Sequence, residues 1–270
     1  MKKNIILSIL AISFVTAIYS QSNIQVDISA EAGFTGILTH VIQSGSSTDK
    51  GDTFNYVKQG NQDTLIPFTR FQADLSLFKR HHLIFLYQPL TIETRAPIAG
   101  NFRYDSIDYT PSDGFLDLTY AFDFWRFSYL FDIIEPGGFF LSAGISLQIR
   151  NASIIFKASD SLKGSVTDNI GPVPIIKLRL GYEWGNGLFV LFDGDGFYAS
   201  NKFLNGADYP FMGYIYDLSL RGGYEFNDST SLFLNLRFLG GGAEGTNDID
   251  QYTYNDLHTF GLTLGYVLHL

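Results

Sequence analysis

The chain ends Thr263-Leu264-Gly265-Tyr266-Val267-Leu268-His269-Leu270, and the pattern of this stretch runs backward without a break through Thr259-Phe260-Gly261-Leu262. Phe260, Leu262, Leu264, Tyr266, Leu268 and Leu270 occupy alternate positions, while Thr259, Gly261, Thr263, Gly265 and His269 stand between them. Successive side chains of a strand point to opposite faces, so this is a strand with one apolar and one small or polar face. The same period returns upstream. Leu232, Leu234, Leu236 and Phe238 alternate with Asn235 and Arg237; Leu218, Leu220 and Tyr224 with Asp217, Ser219 and Arg221. Ile176, Leu178, Leu180 and Tyr182 alternate with Lys177, Arg179 and Glu183; Phe71, Ala73 and Leu75 with Arg70, Gln72 and Asp74.

A soluble sandwich would turn the apolar faces inward, whereas a membrane barrel turns them to lipid and its charges to the lumen. The two ends of the chain favour the barrel. Met1-Lys2-Lys3 followed by an apolar stretch to about Ile18 and a small residue at Ser20 has the layout of a cleaved secretory signal, residues 1–20, leaving 21–270 as one barrel domain. The terminal strand, with Gly265, Tyr266, Leu268 and Leu270, resembles the C-terminal targeting signal of bacterial outer-membrane β-barrels, although it ends in Leu270 where such signals usually end in Phe or Trp. At family level the whole mature chain resembles the uncharacterised single-barrel outer-membrane proteins. The resemblance implies an outer-membrane location, contact with outer-membrane lipid, and passage through periplasmic chaperones and the barrel-assembly machinery.

Composition agrees. Several alternating runs reach the 9–11 residues that cross a bilayer at a tilt. Twenty-five Phe, 16 Tyr and 2 Trp suit aromatic girdles at two lipid interfaces. There is no Cys, so neither a disulfide nor a lipoprotein anchor is available. Without Lys2 and Lys3 the chain carries 16 basic and 27 acidic residues, net −11, the wrong sign for nucleic-acid binding.

Connections alternate in length. Short ones fall at 79–81, 132–138, 185–187 and 227–230, and long ones at 41–63, 94–115, 158–171, 199–210 and 244–255. The sequence therefore predicts ten antiparallel strands, at 24–40, 64–78, 82–93, 116–131, 139–157, 172–184, 188–198, 211–226, 231–243 and 256–270, with eight or twelve as alternatives and both termini periplasmic. In 116–131 the apolar residues change phase, from Leu116, Leu118, Tyr120 and Phe122 to Trp125, Phe127, Tyr129 and Phe131. A bulge near Phe124, or a hidden turn, would account for this.

With the apolar faces outward, Arg70, Asp74, Arg150, Lys177, Arg179, Glu183, Asp217, Arg221 and Arg237 fall in the lumen as a charge network. Buried charges must be paired, and ten strands leave little bore. The first reading is a structural or surface barrel, with a narrow, porin-like transport path as a variant. The alternative is a hydrolase at the rim, either lipid-modifying or proteolytic. Asp193-Gly194-Asp195 on strand seven and Asp256-Leu257-His258 at the start of strand ten resemble the Asp-x-Asp and Asp-x-His pairs of omptin outer-membrane proteases. That resemblance implies that Asp193, Asp195, Asp256 and His258 activate a water at the extracellular rim. The competing reading pairs Asp193 and Asp195 with Arg179 and Arg221. The lipid-modifying variant needs a Ser beside a His, and none of His40, His81, His82, His258 or His269 sits in a His-x-Ser arrangement. No cofactor or metal is implied.

Overall fold

The computed structural model describes residues 24–201 and 210–270; the signal stretch and part of the 199–210 connection lie outside them. Among the described residues fourteen strands are formed: β1 Ile24–Ser46, β2 Phe54–Asn55, β3 Leu65–Leu77, β4 His81–Gln88, β5 Thr91–Pro97, β6 Phe102–Tyr104, β7 Ile107–Tyr109, β8 Phe115–Ile134, β9 Phe139–Ala158, β10 Gly164–Glu183, β11 Leu188–Ser200, β12 Phe211–Asn227, β13 Thr230–Thr246 and β14 Gln251–His269. Each wall strand pairs antiparallel with its neighbour, and β14 pairs back onto β1 from Asp27↔His269 to Ser46↔Gln251, closing the sheet. β4 and β5 share one place in the wall, so the barrel has ten staves. β2 and the β6–β7 hairpin belong to the long loops. Closure leaves β1 and β14 without a free outer edge, and the wall stays open at a split seam beside β3 and β5.

Strands run further than expected at the long-loop end. β9 and β10 stay paired out to Lys157↔Gly164, and β13 and β14 to Thr246↔Tyr252. The connections predicted at 158–171 and 244–255 are mostly ladder, with tight turns at their tips. Polar, Gly-containing sequence reads as loop, yet in water it pairs as well as any other once a neighbouring strand supplies the register.

The phase change in β8 is not a bulge. β8 pairs with β9 in unbroken register from Leu116↔Ala158 to Asp132↔Ser142, and its shift lies beyond, between Asp132 and Ile134. Even-numbered residues face inward throughout: Leu116, Leu118, Tyr120 and Phe124 are buried, and so are Arg126, Ser128 and Leu130. What changes is the chemistry of the two faces. Toward the short turns the outer face is apolar (Phe127, Tyr129) and the inner face, Leu130 apart, is polar (Arg126, Ser128, Asp132). Toward the long loops the outer face carries Asp117 and Thr119 while the inner face is apolar. Near this level Tyr87 stacks on Trp125 at 5.6 Å, and the next outward aromatic of β8 is Phe115 at the strand's far end, under Arg95. The lower part is built for lipid around it, and the upper part for water.

One seam in the wall is split. The β3–β4 ladder runs only from Leu77↔His81 to Phe71↔Tyr87, and β5 pairs with β8 alone. Leu65–Arg70 of β3 is hydrogen-bonded to β1 and to no strand on its other side. Pro67, Pro89 and Pro97 flank the split, where a missing N–H costs no ladder bond. β5 points Thr91, Glu93 and Arg95 outward, so the split lies above the apolar band, where water can satisfy free backbone groups that hydrocarbon could not. Amides of 66–70 and 91–96 are expected to exchange with deuterium at least about tenfold faster than those of 71–77 and 82–88, in line with the range of local opening energies within one fold. Equal protection on both sides of Tyr87 would contradict the split.

Candidate functional site

The inner face of the lower barrel carries a continuous charge network. Arg237 donates from Nε to Asp217 Oδ1 (2.6 Å), from Nη2 to Asp217 Oδ2 (2.7 Å) and from Nη1 to Gln88 Oε1 (2.6 Å). Arg126 Nη1 lies 3.0 Å from both Asp217 and Asp195, and its Nε and Nη2 donate to Gln148 Oε1. Lys177 bridges Asp195 (2.9 Å) and Asp193 (3.2 Å). Arg179 continues the chain by donating to Asp193 Oδ1 (3.0 Å) and Asp74 Oδ2 (2.7 Å). Asp74 then meets His82 at 3.3 Å, and His82 meets Asp132 at 2.9 Å. Glu31 accepts from Asn235 and Thr263 and stands 3.6 Å from Arg221 and 3.9 Å from Arg70.

Every strand position behind this chain follows from the period of two. The cross-strand registers Lys177↔Asp195 and Arg179↔Asp193 put opposite charges directly beside one another. Arg126 is less than 2% exposed, so leaving one partner alone would strand an ion in a dry interior.

Below the network, Phe233 folds over Gly265 so closely that a Cβ there would overlap the ring. Phe140 over Gly181 and Phe189 over Gly223 repeat the arrangement. Only glycine admits a flat aromatic on the neighbouring strand, and the rings fill the barrel near its short-turn mouth.

Above the network the interior is an apolar core. Ile37, Ile66, Ile92, Leu116, Leu118, Tyr120, Ile154 and Phe156 line the wall, and Phe54, Tyr56, Tyr104 and Tyr109 enter it from the first two long loops. The His40 ring stacks on Tyr56 at 4.0 Å, and Tyr104 stacks on Phe156 at 4.0 Å. A bulge at Leu38 between Ile37 and Thr39 turns His40 inward and lets both Ile37 and Ile42 pack.

The β6–β7 hairpin closes the mouth. Asp105 and Ser106 have φ of 53° and 63°, the left-handed pair of a tight hairpin turn. The Asp105 carboxylate accepts from Ser165 on β10 (2.5 Å) and Gln251 on β14 (3.3 Å), while its N–H donates to Ser44 on β1 (2.9 Å). The lid is thus tied to three strands around the rim. Nearby, Asp113 accepts from Lys163 Nζ (2.8 Å) and the Thr110 N–H (2.8 Å), which hold its carboxyl below the usual range. Burial, with the carboxylates of Asp105 and Asp113 nearby, pushes the Tyr109 phenol up to about 12. Between lid and network lies a cavity of about 20 Å³ beside Ile37, Phe68, Ile92 and Leu257.

The sequence-derived candidates divide between several places. Asp193 and Asp195 are not at the end of their strand; both lie in the middle of the network, 2% and 4% exposed. Asp256 and His258 share the face of Phe260 and Leu262 and point out of the barrel, while Leu257 and Thr259 point in. On the outer wall Tyr214 OH donates to Asp256 Oδ1 (2.7 Å), His258 Nε2 lies 3.0 Å from the same oxygen, and Tyr216 OH lies 2.7 Å from His258 Nδ1. Gly240 and Gly242 between these strands leave room for the rings. The four residues of the Asp-x-Asp and Asp-x-His pairs therefore sit on opposite sides of the wall and do not converge.

Arg70, Asp74, Lys177, Arg179, Asp217, Arg221 and Arg237 are brought together inside. Glu183 is not: it is exposed at the short-turn mouth. Arg150 lies half-buried above the network, near Tyr120. Gly265, Tyr266 and Leu268 pair with both β13 and β1, and the Leu270 backbone is bonded to Val26. Sequence reasoning missed Glu31, Arg126, Gln88, Asn235 and His82. Arg126 was legible as the one inward cation between Trp125 and Phe127, once the phase of β8 is read correctly. Among the described residues no group of three or more His, Asp or Glu is placed to hold a metal ion.

No protein-family model matches the chain, and no curated protein matches it. Among solved structures, it is similar to the outer membrane protease OmpT from Escherichia coli, with a TM-score of 0.51 and 11% identity over 93% of this chain and 98% of that one. OprG from Pseudomonas aeruginosa matches with a TM-score of 0.36 and 8% identity over 90% and 95%. Ail of Yersinia pestis matches at 0.31 and 10% over 90% and 98%. At these identities the likeness is one of fold: the chain has the outer-membrane β-barrel fold.

Arg126→Ala is expected to destabilise the folded barrel by about 3–5 kcal/mol, because it removes the buried cation shared by Asp195 and Asp217 and leaves each carboxylate with one cation instead of two. Tyr214→Phe on the outer wall should cost only about 0.5–1.5 kcal/mol, the net worth of one hydrogen bond. Urea unfolding in lipid vesicles, followed by tryptophan fluorescence, ranks the two; a smaller loss for Arg126→Ala would contradict the network's role.

Proposed function

We propose that this protein is a closed, non-conducting barrel of a bacterial outer membrane, acting as a structural or surface protein through the face that its long-loop cap presents. The observation that carries this reading is the filled interior. Two barriers of opposite chemistry lie in series, the ion-paired layer from Asp74 to Arg237 and the apolar core under the β6–β7 lid. A water-filled path would have to break both. The narrow-transport variant draws no support from this packing, and the rim hydrolase draws none from the placement of Asp193, Asp195, Asp256 and His258.

An even number of staves puts both ends of the barrel at the short turns. With a signal peptide and assembly from the periplasm, that end is the periplasmic one, and the cap meets the outside. Outer-membrane lipid, periplasmic chaperones and the barrel-assembly machinery are the partners this reading needs.

Refolded protein in a planar bilayer, with insertion confirmed by protease protection, is expected to give no conductance steps. A variant with the 99–112 lid replaced by a short Gly-Ser linker should stay silent, because the ion-paired layer persists. Reproducible steps from the intact protein would overturn the reading; steps from the lidless variant alone would move the seal to the cap.

A further inference from the structure

The inward parity of three neighbouring strands brings a serine, a histidine and an aspartate together at the short-turn mouth. His269 of β14 pairs with Asp27 of β1, and Val267, two residues earlier, pairs with Ser231 of β13. Ser231 Oγ lies 2.6 Å from His269 Nε2, and His269 Nδ1 lies 2.8 Å from Asp27 Oδ1. Gln25 Nε2 donates to the same carboxylate oxygen at 3.2 Å and steadies it. A carboxylate only accepts, so Nδ1 carries the proton of the neutral imidazole. Nε2 is then an acceptor, and the Ser231 hydroxyl donates to it. Nucleophile, base and orienting carboxylate stand in the order that activates a serine.

His82 provides the contrast within the same barrel. Ser76 lies 2.9 Å from its Nδ1, but Asp74 stands 3.3 Å from that nitrogen and Asp132 2.9 Å from Nε2. With a carboxylate on each side, both nitrogens serve as donors and neither is left to take a proton. His269 has a carboxylate on one side only.

The triad borders a space. A pocket of about 120 Å³ is lined by Asp27, Ser231 and His269 together with Phe140, Phe189 and Phe233. The three rings, laid over Gly181, Gly223 and Gly265, make much of its wall apolar. An apolar protein cavity of about 150 Å³ binds benzene, so this pocket takes an acyl group of a few carbons. Ser231 lines it yet is 1% exposed, which keeps the hydroxyl out of bulk water, and the His269 side chain beside it is 18% exposed. Ser29 and Gln72 lie in the same lining, a hydroxyl and an amide able to donate to an oxygen that takes on negative charge.

We propose that Ser231, His269 and Asp27 form a serine-hydrolase site that cleaves neutral short-chain acyl esters at the short-turn mouth. The activity goes beyond the closed-barrel reading and needs no passage, because substrate enters and products leave by one mouth. Ser231 Oγ attacks the ester carbonyl carbon while His269 Nε2 takes its proton, and the carbonyl π pair moves onto oxygen. Collapse of this adduct breaks the bond to the alkoxy oxygen, which leaves with the proton from Nε2. Water then attacks the acyl-Ser231 and gives its proton to Nε2. The acyl–Oγ bond breaks, the carboxylic acid departs, and Ser231 recovers its proton from His269. Asp27 stays ionised throughout and stabilises the imidazolium.

Refolded full-length protein in detergent micelles is treated with methanesulfonyl fluoride, which sulfonylates an activated serine and releases fluoride. Peptide mass spectrometry is expected to find the label on Ser231 and not on Ser76. The protein should hydrolyse p-nitrophenyl butyrate above the buffer rate. That rate should fall to the buffer level in Ser231→Ala and at least about a hundredfold in Asp27→Asn, and hold in Ser76→Ala. Should Ser231→Ala fail to fold, judged by loss of heat-modifiable migration, labelling of the unaltered protein decides alone. Folded protein that leaves Ser231 unlabelled, that does not hydrolyse the ester, or that hydrolyses it no faster than Ser231→Ala does would overturn the assignment.

Discussion

The pairing of buried charges across neighbouring strands is the constraint on which this molecule depends. Lipid outside the wall leaves the apolar side chains nowhere else to go, so the polar half of each alternating strand must fill the lumen. Ten staves bring those side chains within contact distance, and charges in so dry a space persist only as pairs. Asp217, Asp195, Asp193 and Asp74 accordingly alternate with Arg237, Arg126, Lys177 and Arg179 in one connected chain. The aromatic rings laid over Gly181, Gly223 and Gly265 then fill what the charges leave near the mouth.

Above the level of Phe124 the same backbone alternation serves the opposite solvent. Water replaces lipid outside, and the inner face becomes an ordinary apolar core that the first two long loops complete. The change needs no break in β8, only an exchange of residue types between its faces. The cost falls on the wall next to it: β4 ends at Gln88, β5 resumes at Thr91, and β3 loses a neighbour above Phe71. Prolines 67, 89 and 97 mark the place, and the loop-borne core holds the upper barrel together where the ladder does not.

Much of this was legible in the sequence because period two is a strong signal. The terminal strand with Gly265, Tyr266 and Leu268, the ten staves, and the inward set from Arg70 to Arg237 all follow from alternation alone. What was not legible follows from its limits. Alternation gives two faces without saying which solvent meets each, so the exchange at Phe124 reads as a bulge. It also cannot place two strands relative to each other. Asp193-x-Asp195 and Asp256-x-His258 have the same spacing, yet one pair faces the lumen and the other faces outward, because the inward parity of β11 and of β14 is set by their own neighbours. Glu183 alternates with the lumen charges but lies at the strand end, where the barrel opens to water.

The exchange of faces along β8 can be measured directly, because the chain contains no cysteine. Single cysteines placed at outward positions 117, 119, 121, 125, 127, 129 and 131, each carrying a nitroxide, report their surroundings through relaxation by oxygen and by a water-soluble nickel chelate. In lipid bilayers high oxygen and low nickel contact are expected from 125 to 131, and the reverse from 117 to 121. Oxygen-dominated contact along the whole strand would contradict it, placing Leu116, Leu118 and Tyr120 inside a barrel that is membrane-embedded to its tip.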